Sequence, residues 1–337
     1  MKKSIFAILV TVLASLSFTA SADPLRLIVT HLEPPLVPNS VMDLAKELGY
    51  FEREGIDVEI IRVQQTPMAL AALQSGEGDL ANVSSKSLLQ LIATHGPVAT
   101  AITSPNKSLP FLIAAREEIG SVSELKGRSF GIGRVGSLDH SLSSKVLNDA
   151  GTPIDLLELV PLGQPAVRAQ TLAAGKIDAT TMSIGTWMSI PEKNGIKILI
   201  DQKEYFQSAP IVNKVIAAAP DLIDNRREDV VALVRALTKL SRDFSENPKL
   251  WAEAMAPHTE KLDSEQLLKL AKSFENSWSV NGGLNSGELT YTQEQHYKTK
   301  DFVDLPMLEL HSWVDFSIVN TVLDEIGIVE TSDQLGS

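Results

Sequence analysis

Two kinds of apolar segment alternate along the chain between residues 25 and 205. Short runs of mainly apolar residues predict buried strands, which cover 25–30, 56–63, 79–82, 98–103, 129–134, 156–160, 178–182 and 196–200, with a further extended run over 108–116. Segments whose apolar residues recur on one helical face predict helices, which cover 41–54, 66–75, 85–95, 139–149, 167–174 and 227–244. The alternation is typical of mainly parallel sheets flanked by helices, so the predicted fold class is α/β.

The N-terminal segment has a different character. Lys2 and Lys3 precede a mainly apolar run without charged residues over 5–16, and small residues at 20–22 suit a signal peptidase. The run is shorter than the roughly 20 apolar residues of a membrane span. We therefore expect a signal peptide over 1–22, cut after Ala22. With no cysteine to carry a lipid anchor, export predicts a periplasmic location.

Length, charge and cysteine content narrow the function classes. A chain of 337 residues predicts about two domains. The net charge of −12 without a basic block argues against nucleic acid and against an anionic membrane surface as partners. The lack of cysteine excludes disulfides, thiolate metal sites and cysteine nucleophiles. The histidines show no metal-ligand spacing, and no motif such as G-x-S-x-G or H-E-x-x-H is present, so we predict no metal, no cofactor and no enzymatic activity.

A four-residue pattern recurs after 99 residues and predicts two related lobes. Its first copy is Leu73, Gly76, Asp79 and Ser84, and its second copy is Leu172, Gly175, Asp178 and Ser183. The glycines are expected to end helices and the aspartates to open strands. The two serines then follow the carboxyl ends of strands, where ligands bind in open α/β sheets.

A glycine-rich stretch over 131–137 formally satisfies the dinucleotide pattern G-x-G-x-x-G, with Asp155 about 20 positions further on. Its mid-chain position, the predicted export and the absence of a nearby acid or base argue against a nicotinamide cofactor. We favour an anion site instead, with close backbone approach at Gly136, the Ser137 hydroxyl and the start of the following helix.

Five segments together carry a family resemblance. They are KELGYFEREGIDVE over 46–59, ALQSGEGD over 72–79, SELKGR over 123–128, Gly136-Ser137 with His140, and LAAGKIDA over 172–179. In order and spacing they resemble periplasmic binding proteins of the nitrate, sulfonate and taurine ABC transporter group, which also contains binding proteins for pyrimidine precursors of thiamine. The resemblance covers residues 25–205 well and the C-terminal third only in its helical character.

The resemblance implies a two-lobed, type II periplasmic binding protein fold with the ligand cleft between the lobes. The expected division is lobe 1 over 23–108, lobe 2 over 109–210, and a return to lobe 1 with C-terminal helices over 211–337. Extended crossings near 104–114 and 206–215 act as the hinge. The implied partners are a small anionic or zwitterionic organic solute and an ABC permease in the inner membrane, and we expect a monomer. A heterocycle such as a pyrimidine precursor, and a sensor or adaptor role in the periplasm, remain alternatives.

The residues expected to contact the solute lie in the loop after the first strand and at later strand ends. They are His31, Glu33, Ser84, Ser85, Arg134, Gly136, Ser137, Ser183, Thr186 and Trp187. Arg134 suits a carboxylate or sulfonate, with a salt bridge across the lobe as the alternative, and Glu33 suits an ammonium or aminopyrimidine. Trp187 could stack on a planar solute or serve only in packing. For each hydroxyl, an ordinary helix cap is an equal alternative.

Overall fold

The computed structural model describes residues 23–274 and 277–330, so the predicted signal peptide lies outside the described residues. Two five-stranded sheets, each covered by helices, form the molecule. The predicted α/β class is therefore confirmed. Within the described ranges, no helix combines the length and apolar character needed to cross a membrane.

The first sheet has the strand order β2-β1-β3-β10-β4. Its strands are β1 (Leu25–Val29), β2 (Val58–Arg62), β3 (Leu80–Ser84), β4 (Thr100–Thr103) and β10 (Lys214–Ala218). Strand β1 is parallel to β2 and β3, whereas β10 is antiparallel to β3 and β4. Every residue of β3 and β10 is buried, because helices cover both faces of the sheet.

The second sheet repeats this arrangement in the order β7-β6-β8-β5-β9. Its strands are β5 (Phe111–Arg116), β6 (Ser129–Ile132), β7 (Glu158–Pro161), β8 (Ala179–Ser183) and β9 (Ile196–Ile200). Strand β6 is parallel to β7 and β8, and β5 is antiparallel to β8 and β9. The fourth strand in each order is thus the antiparallel one.

The sequence repeat corresponds to equivalent places in the two sheets. Asp79 Oδ2 accepts a hydrogen bond from the backbone N–H of Arg26 at 2.8 Å, and Asp178 Oδ2 accepts one from Ser129 at 2.9 Å. In each case an aspartate just before the central strand, β3 or β8, ties that strand to its parallel neighbour, β1 or β6. Gly76 and Gly175 have φ values of 75° and 67°, as expected for glycines that end helices.

The sheets are flanked by helices of 4 to 20 residues. They are α1 (Val41–Glu47), α2 (Tyr50–Arg53), α3 (Thr66–Gln74), α4 (Ser85–His95), α5 (Leu138–Asp149), α6 (Pro165–Ala173), α7 (Ile184–Met188), α8 (Gln202–Ser208), α9 (Pro220–Asn225), α10 (Arg227–Glu246), α11 (Pro248–Met255), α12 (Ser264–Lys272), α13 (Ser286–Tyr297) and α14 (Phe316–Ile326). The single helix predicted over 41–54 is divided, because Gly49 adopts a left-handed conformation with φ 71°.

The C-terminal segment packs on the first sheet. Trp278 lies in the apolar cluster between α10 and one face of that sheet, and Trp313 lies in the cluster on the other face. A Cβ at Gly283 would lie 2.0 Å from the carbonyl oxygen of Ser104, so only glycine allows this segment to reach the end of β4. These contacts show that the long C-terminal region packs on the first sheet. The sequence alone did not decide its position.

The chain passes to the second sheet between β4 and β5 and returns between α8 and β10. The two crossing segments are joined by a hydrogen bond of 2.8 Å from the Asn213 N–H to the Lys107 carbonyl. The prediction of an extended segment over 206–215 is wrong for residues 206–208, because α8 continues to Ser208. The side chain of Asp201 caps that helix by accepting from the Glu204 N–H at 2.8 Å.

Candidate functional site

A cleft of about 790 Å³ lies between the two sheets, at the edge where their parallel strands end. The first sheet contributes the loop after β1, the start of α3 and the first residue of β10. The second sheet contributes the start of β5, the first turns of α5, α6 and α7, and the segment 258–261 closes one side. Its volume is that of a small-molecule site.

A buried polar network forms the first-sheet wall. His31 Nε2 lies 2.7 Å from Asp43 Oδ2, and the Asn39 amide donates to His31 Nδ1 at 3.0 Å. Because Nδ1 accepts a hydrogen bond, the ring proton resides on Nε2 and is donated to Asp43. Asn39 is itself held by the amide of Asn106. The loop after β1 is therefore fixed in place before any solute arrives.

The charges in this network are balanced. Arg62 Nη2 lies 2.6 Å from Asp43 Oδ1. Burial favours a higher pKa for the Asp43 carboxyl, but hydrogen bonds and charges of His31 and Arg62 outweigh it and hold that pKa below its ordinary value. Burial lowers the pKa of His31, and the nearby Lys214 and Arg62 charges act in the same direction. The His31 ring is thus a neutral hydrogen-bonding group.

Lys214 is the first residue of β10 and reaches the cleft from the centre of the first sheet. Its ammonium donates to Asn82 Oδ1 at 2.9 Å and to Thr30 Oγ1. Both acceptors are neutral, and burial lowers the pKa of Lys214 to about 7.

The second-sheet wall contains a buried pair of opposite charges. Arg168 Nη1 lies 3.7 Å from Asp139 Oδ2, and the guanidinium also donates to the carbonyls of Gly163 at 2.6 Å and Thr181 at 3.1 Å. Asp139 also accepts from the Gly133 N–H at 2.7 Å and from the Ser137 hydroxyl at 2.7 Å. This carboxylate is fully engaged and neutralises Arg168.

Part of the predicted set lies in the cleft lining: His31, Glu33, Ser183 and Thr186. Ser183 also caps α7, since its hydroxyl accepts from the Thr186 N–H at 3.1 Å. Glu33 is exposed at the cleft rim. The loop after the first strand and the end of β8 therefore line the same cleft.

Ser84 and Ser85 lie behind the cleft lining. Ser84 is directly opposite Lys214 in the β3–β10 pairing, and its buried hydroxyl has no hydrogen-bond partner among the described residues. Ser85 donates to the Val212 carbonyl at 2.5 Å and lies 3.3 Å from His296 Nε2. Its hydroxyl therefore joins α4 to α13.

The remaining predicted residues are not part of the cleft lining. Arg134 is exposed and does not line the cleft, whereas Glu33 does. The Ser137 hydroxyl accepts from the Arg134 N–H at 3.2 Å, and Gly136 has φ 79° with its carbonyl accepting from Ser87 at 3.2 Å. Trp187 packs on the second sheet under Lys193, whose Nζ lies 5.5 Å from the ring centroid.

The glycine-rich stretch serves close packing. A Cβ at Gly131 would lie 2.6 Å from Ile177 Cδ1, and one at Gly133 would lie 2.8 Å from both Asp139 Oδ1 and Gln65 Nε2. Gly133 therefore allows a first-sheet glutamine to approach the second sheet. Over residues 23–274 and 277–330, no three His, Cys, Asp or Glu residues are grouped so that they could hold a metal ion.

Several contacts join the two sheets across the cleft. Gln164 Nε2 donates to the Gln64 carbonyl at 3.0 Å, and Gln65 Nε2 lies 3.5 Å from the Gly163 carbonyl. Gln65 and Gln164 precede α3 and α6 and are again 99 residues apart. On the outer rim, Lys300 Nζ lies 2.8 Å from Asp155 Oδ2.

Sequence reasoning missed Arg168 and Lys214. Arg168 lies in the first turn of α6, which begins at Pro165. A basic residue in the first helical turn after a strand is the sequence signal that could have identified it. Lys214 opens a strand that was not predicted. The apolar and small residues that follow it over 215–218 were the signal that could have identified β10.

A family model described as NMT1/THI5 like matches residues 41–250. A protein of Brucella abortus (strain 2308), named as a binding protein, is 25% identical over 299 residues, covering 85% of this chain and 91% of the relative. A solved structure from Bordetella bronchiseptica RB50 has a TM-score of 0.76 at 17% identity and covers 91% of this chain and 99% of that chain.

Two further solved structures have stated functions. The alkanesulfonate-binding protein SsuA from Xanthomonas axonopodis pv. citri, bound to MOPS, has a TM-score of 0.69 at 15% identity and covers 88% of this chain and 99% of that chain. The desulfurization enzyme DSZB has a TM-score of 0.64 at 16% identity over 90% of this chain and 99% of that chain. These matches confirm the resemblance to the sulfonate-binding group and the periplasmic binding protein fold.

Proposed function

The chain belongs to the NMT1/THI5-like family, and from this premise we propose that it is the solute-binding component of an ABC importer. It captures a small anionic or zwitterionic organic solute outside the cytoplasm and delivers it to a membrane permease. The observation that carries the proposal is the cleft of about 790 Å³ whose walls come from two similarly built sheets. A site shared between two such units closes on its ligand when the units move together.

The proposed mechanism is hinge closure. The segments between β4 and β5 and between α8 and β10 connect the sheets, and rotation about them separates the cleft walls. Closure removes the solute from water and makes the contacts between the Gln64–Gln65 and Gly163–Gln164 segments. The solute shifts the population toward the closed state only by the amount that it binds that state better than the open one.

The names of relatives support transport. The Brucella relative is named as a binding protein, and SsuA is an alkanesulfonate-binding protein. A Staphylococcus aureus structure of the same fold, with a TM-score of 0.67, is the ligand-binding component of an ABC-type import system. A role of this kind requires a location outside the inner membrane, in agreement with the predicted signal peptide.

Binding without chemical change is part of the proposal. The fold also occurs in the desulfurization enzyme DSZB, so the fold does not separate binding from catalysis. The chemistry of this cleft favours binding, because the chain has no cysteine and the neutral His31 is held by Asp43 and Asn39. Asp139 is likewise committed to Arg168, Gly133 and Ser137.

The test is thermal unfolding of the purified chain, refolded to remove carried-over solute, against sulfonates, taurine, nitrate, bicarbonate, aromatic carboxylates and aminopyrimidines. A solute at 100 times its Kd adds about 2.7 kcal/mol to the stability of the native state. We expect a saturable upward shift with one class, a smaller radius of gyration in X-ray scattering, and recovery of the solute unchanged by NMR. Glucose serves as the neutral control. No shift with any compound, or conversion of the bound solute, contradicts the proposal.

Transport itself needs a cellular test. Deletion of the gene should abolish uptake of the solute found in the binding assay, and the wild-type gene should restore it. Unchanged uptake in the deletion strain contradicts the importer role, although the protein binds the solute.

A further inference from the structure

Two equivalent positions face the cleft with different chemistry. Strands β10 and β5 occupy the same place in the two strand orders. Lys214, at the start of β10, pairs with Ser84, whereas Phe111, at the start of β5, pairs with Ser183. The two serines end the two copies of the sequence repeat, and both Lys214 and Phe111 line the cleft.

Lys214 is a buried cation without a counter-charge. It is 5% exposed, and neither of its hydrogen-bond acceptors, Asn82 and Thr30, carries a charge. It forms no ion pair within the part of the chain that the structure describes. Burial of an unpaired charge is costly, and an anion in the cleft removes that cost.

The other charged groups around the cleft are already balanced or lie at its rim. Arg168 is paired with Asp139, and Arg62 is paired with Asp43, which also holds the neutral His31. His258 lies 2.7 Å from Glu47. The exposed rim residues of the lining are Glu33, Glu260 and Lys261. Lys214 is therefore the buried lining group best suited to an added negative charge.

Phe111 supplies an apolar wall. The ring is partly buried and packs edge-on against Tyr205, with centroids 6.0 Å apart and an interplanar angle of 65°. Leu109, Leu36 and Val37 are further apolar residues of the cleft lining. A ring held by edge packing leaves its face for an apolar or aromatic group.

We propose that Lys214 anchors the acidic head of an organic monoanion, a carboxylate or a sulfonate, whose apolar body lies against Phe111. The inference rests on the proposed solute-binding function and names the solute class and two residues that determine specificity. The lowered pKa of Lys214 agrees with it, because an anion that binds the ammonium form draws a proton onto the lysine. The competing explanation is a purely structural tether from Lys214 to Thr30 and Asn82.

The test uses isothermal titration calorimetry with compounds that share one body. They are phenylacetate, phenylmethanesulfonate, phenylacetamide and 2-phenylethylammonium, with acetate and methanesulfonate as heads without the ring. We expect the wild type to bind one of the two aromatic anions at least 100-fold more tightly than the amide or the ammonium compound. The anion that binds more tightly shows whether the acidic head of the solute is a carboxylate or a sulfonate.

Variants test separately how the acidic head and the apolar body of the solute contribute to affinity. Lys214→Met, which removes the charge and leaves an unbranched side chain one atom shorter, should lower affinity for the aromatic anion about 100-fold. Phe111→Ala should lower it about tenfold without changing the preference for an anion. Lys261→Met, at the exposed rim, is the matched control and should change affinity less than about twofold.

Proton uptake distinguishes an anion anchor from a structural tether. At pH 8, titrations of the wild type in phosphate and in Tris should show uptake that approaches one proton per bound anion. Above pH 7, affinity should fall toward tenfold per pH unit, because the neutral amine must first be protonated. His258→Gln should retain the uptake, whereas Lys214→Met should lose it. The preference of the wild type for the aromatic anions over the amide and the ammonium compound tests the anchor even if Lys214→Met fails to fold.

The outcomes keep the two proposals apart. A folded Lys214→Met that binds the anion as tightly as the wild type overturns the anchor while the solute-binding function stands. Binding of the amide or ammonium compound alone has the same consequence. Failure of these compounds and of the broader solute panel to bind overturns both.

Discussion

At the cleft edge, the first sheet presents Lys214 and the network around His31, whereas the second sheet presents Phe111 and the balanced pair Arg168 and Asp139. The two edges have the same strand order and the same pairing of the first strand residue with a serine. A repeated backbone arrangement therefore sets where side chains meet a solute, and the residue types at those positions divide polar from apolar recognition.

The two serines of the repeat also have different surroundings in the two sheets. Ser183 caps α7, while Ser84 is buried without a hydrogen-bond partner among the described residues. Helix α7 places Gly185 against the loop after β1, where no side chain separates the two walls. The first edge is held rigid by hydrogen bonds, and the second supplies the packing surface for closure.

The largest expected effect comes from Gly185→Val, which prevents the two edges from meeting. A Cβ at this position would lie 2.1 Å from the Leu36 carbonyl oxygen. We expect solute affinity to fall about 100-fold, because the closed state becomes overpacked. The unfolding midpoint without solute should not change, since opening relieves the clash. Calorimetry and X-ray scattering with the identified solute provide the measurement.

Gly287→Val is the matched control for this change. Gly287 is exposed in α13, and the nearest atom to an added Cβ is Asn285 Oδ1 at 3.3 Å. Its affinity should equal that of the wild type. If Gly185→Val still closes on the solute, the contact between α7 and the first loop does not define the closed state.

Asp43→Asn tests the rigidity of the first edge. The amide cannot accept from both His31 and Arg62, so a buried donor is left unpaired and stability should fall by about 2–3 kcal/mol. Urea unfolding measures the loss. Asp57→Asn, an exposed carboxylate beside β2, should change stability by less than about 0.5 kcal/mol. Equal stability of the two variants would mean that the network does not hold the loop.

Acid should weaken the first-sheet half through buried His296. Burial lowers the pKa of this imidazole to about 3. The folded state keeps the ring neutral while the unfolded chain protonates it near pH 6.5, so stability is full above that pH and declines as the pH falls. The decline is up to about 1.4 kcal/mol per pH unit from this group.

Urea unfolding between pH 7 and pH 4.5 tests this expectation. His296→Gln should reduce the slope of stability against pH, and the exposed His95→Gln should leave it unchanged. The buried His31, whose pKa is also lowered, maintains part of the slope in both variants. Identical slopes for His296→Gln and the wild type contradict the assignment.

The smallest effect is expected from Lys300→Ala, which removes the ion pair with Asp155 on the outer rim. Both side chains are exposed, at 75% and 65%, and water screens such pairs. Solute affinity should fall less than about threefold at low salt, and the difference should vanish at 1 M salt. Lys249→Ala, which breaks an exposed pair within α11, is the control. A large, salt-insensitive loss would show that the rim controls closure.

Much of the fold could be predicted because its signals are local. Apolar runs identified most strands, and glycines such as Gly76 and Gly175 marked helix ends through their left-handed backbone. The repeat of Asp79 and Ser84 at Asp178 and Ser183 indicated two related sheets before any pairing was known. The loop with His31 and Glu33 could be assigned to the cleft because the family resemblance places solute contacts after the first strand.

The cleft residues with the strongest charges could not be identified in this way. Arg134 follows β6 and is exposed, whereas Arg168 is buried against Asp139, and a position shortly after a strand does not by itself show which guanidinium group is buried. Lys214 reaches the cleft because the returning chain inserts β10 between β3 and β4, more than 100 residues after those strands. Local sequence determined the strands, the helix ends and the repeat, because these depend on neighbouring residues. Which charges are buried, paired or left open to a solute depends on contacts between distant segments, so the tertiary structure alone establishes it.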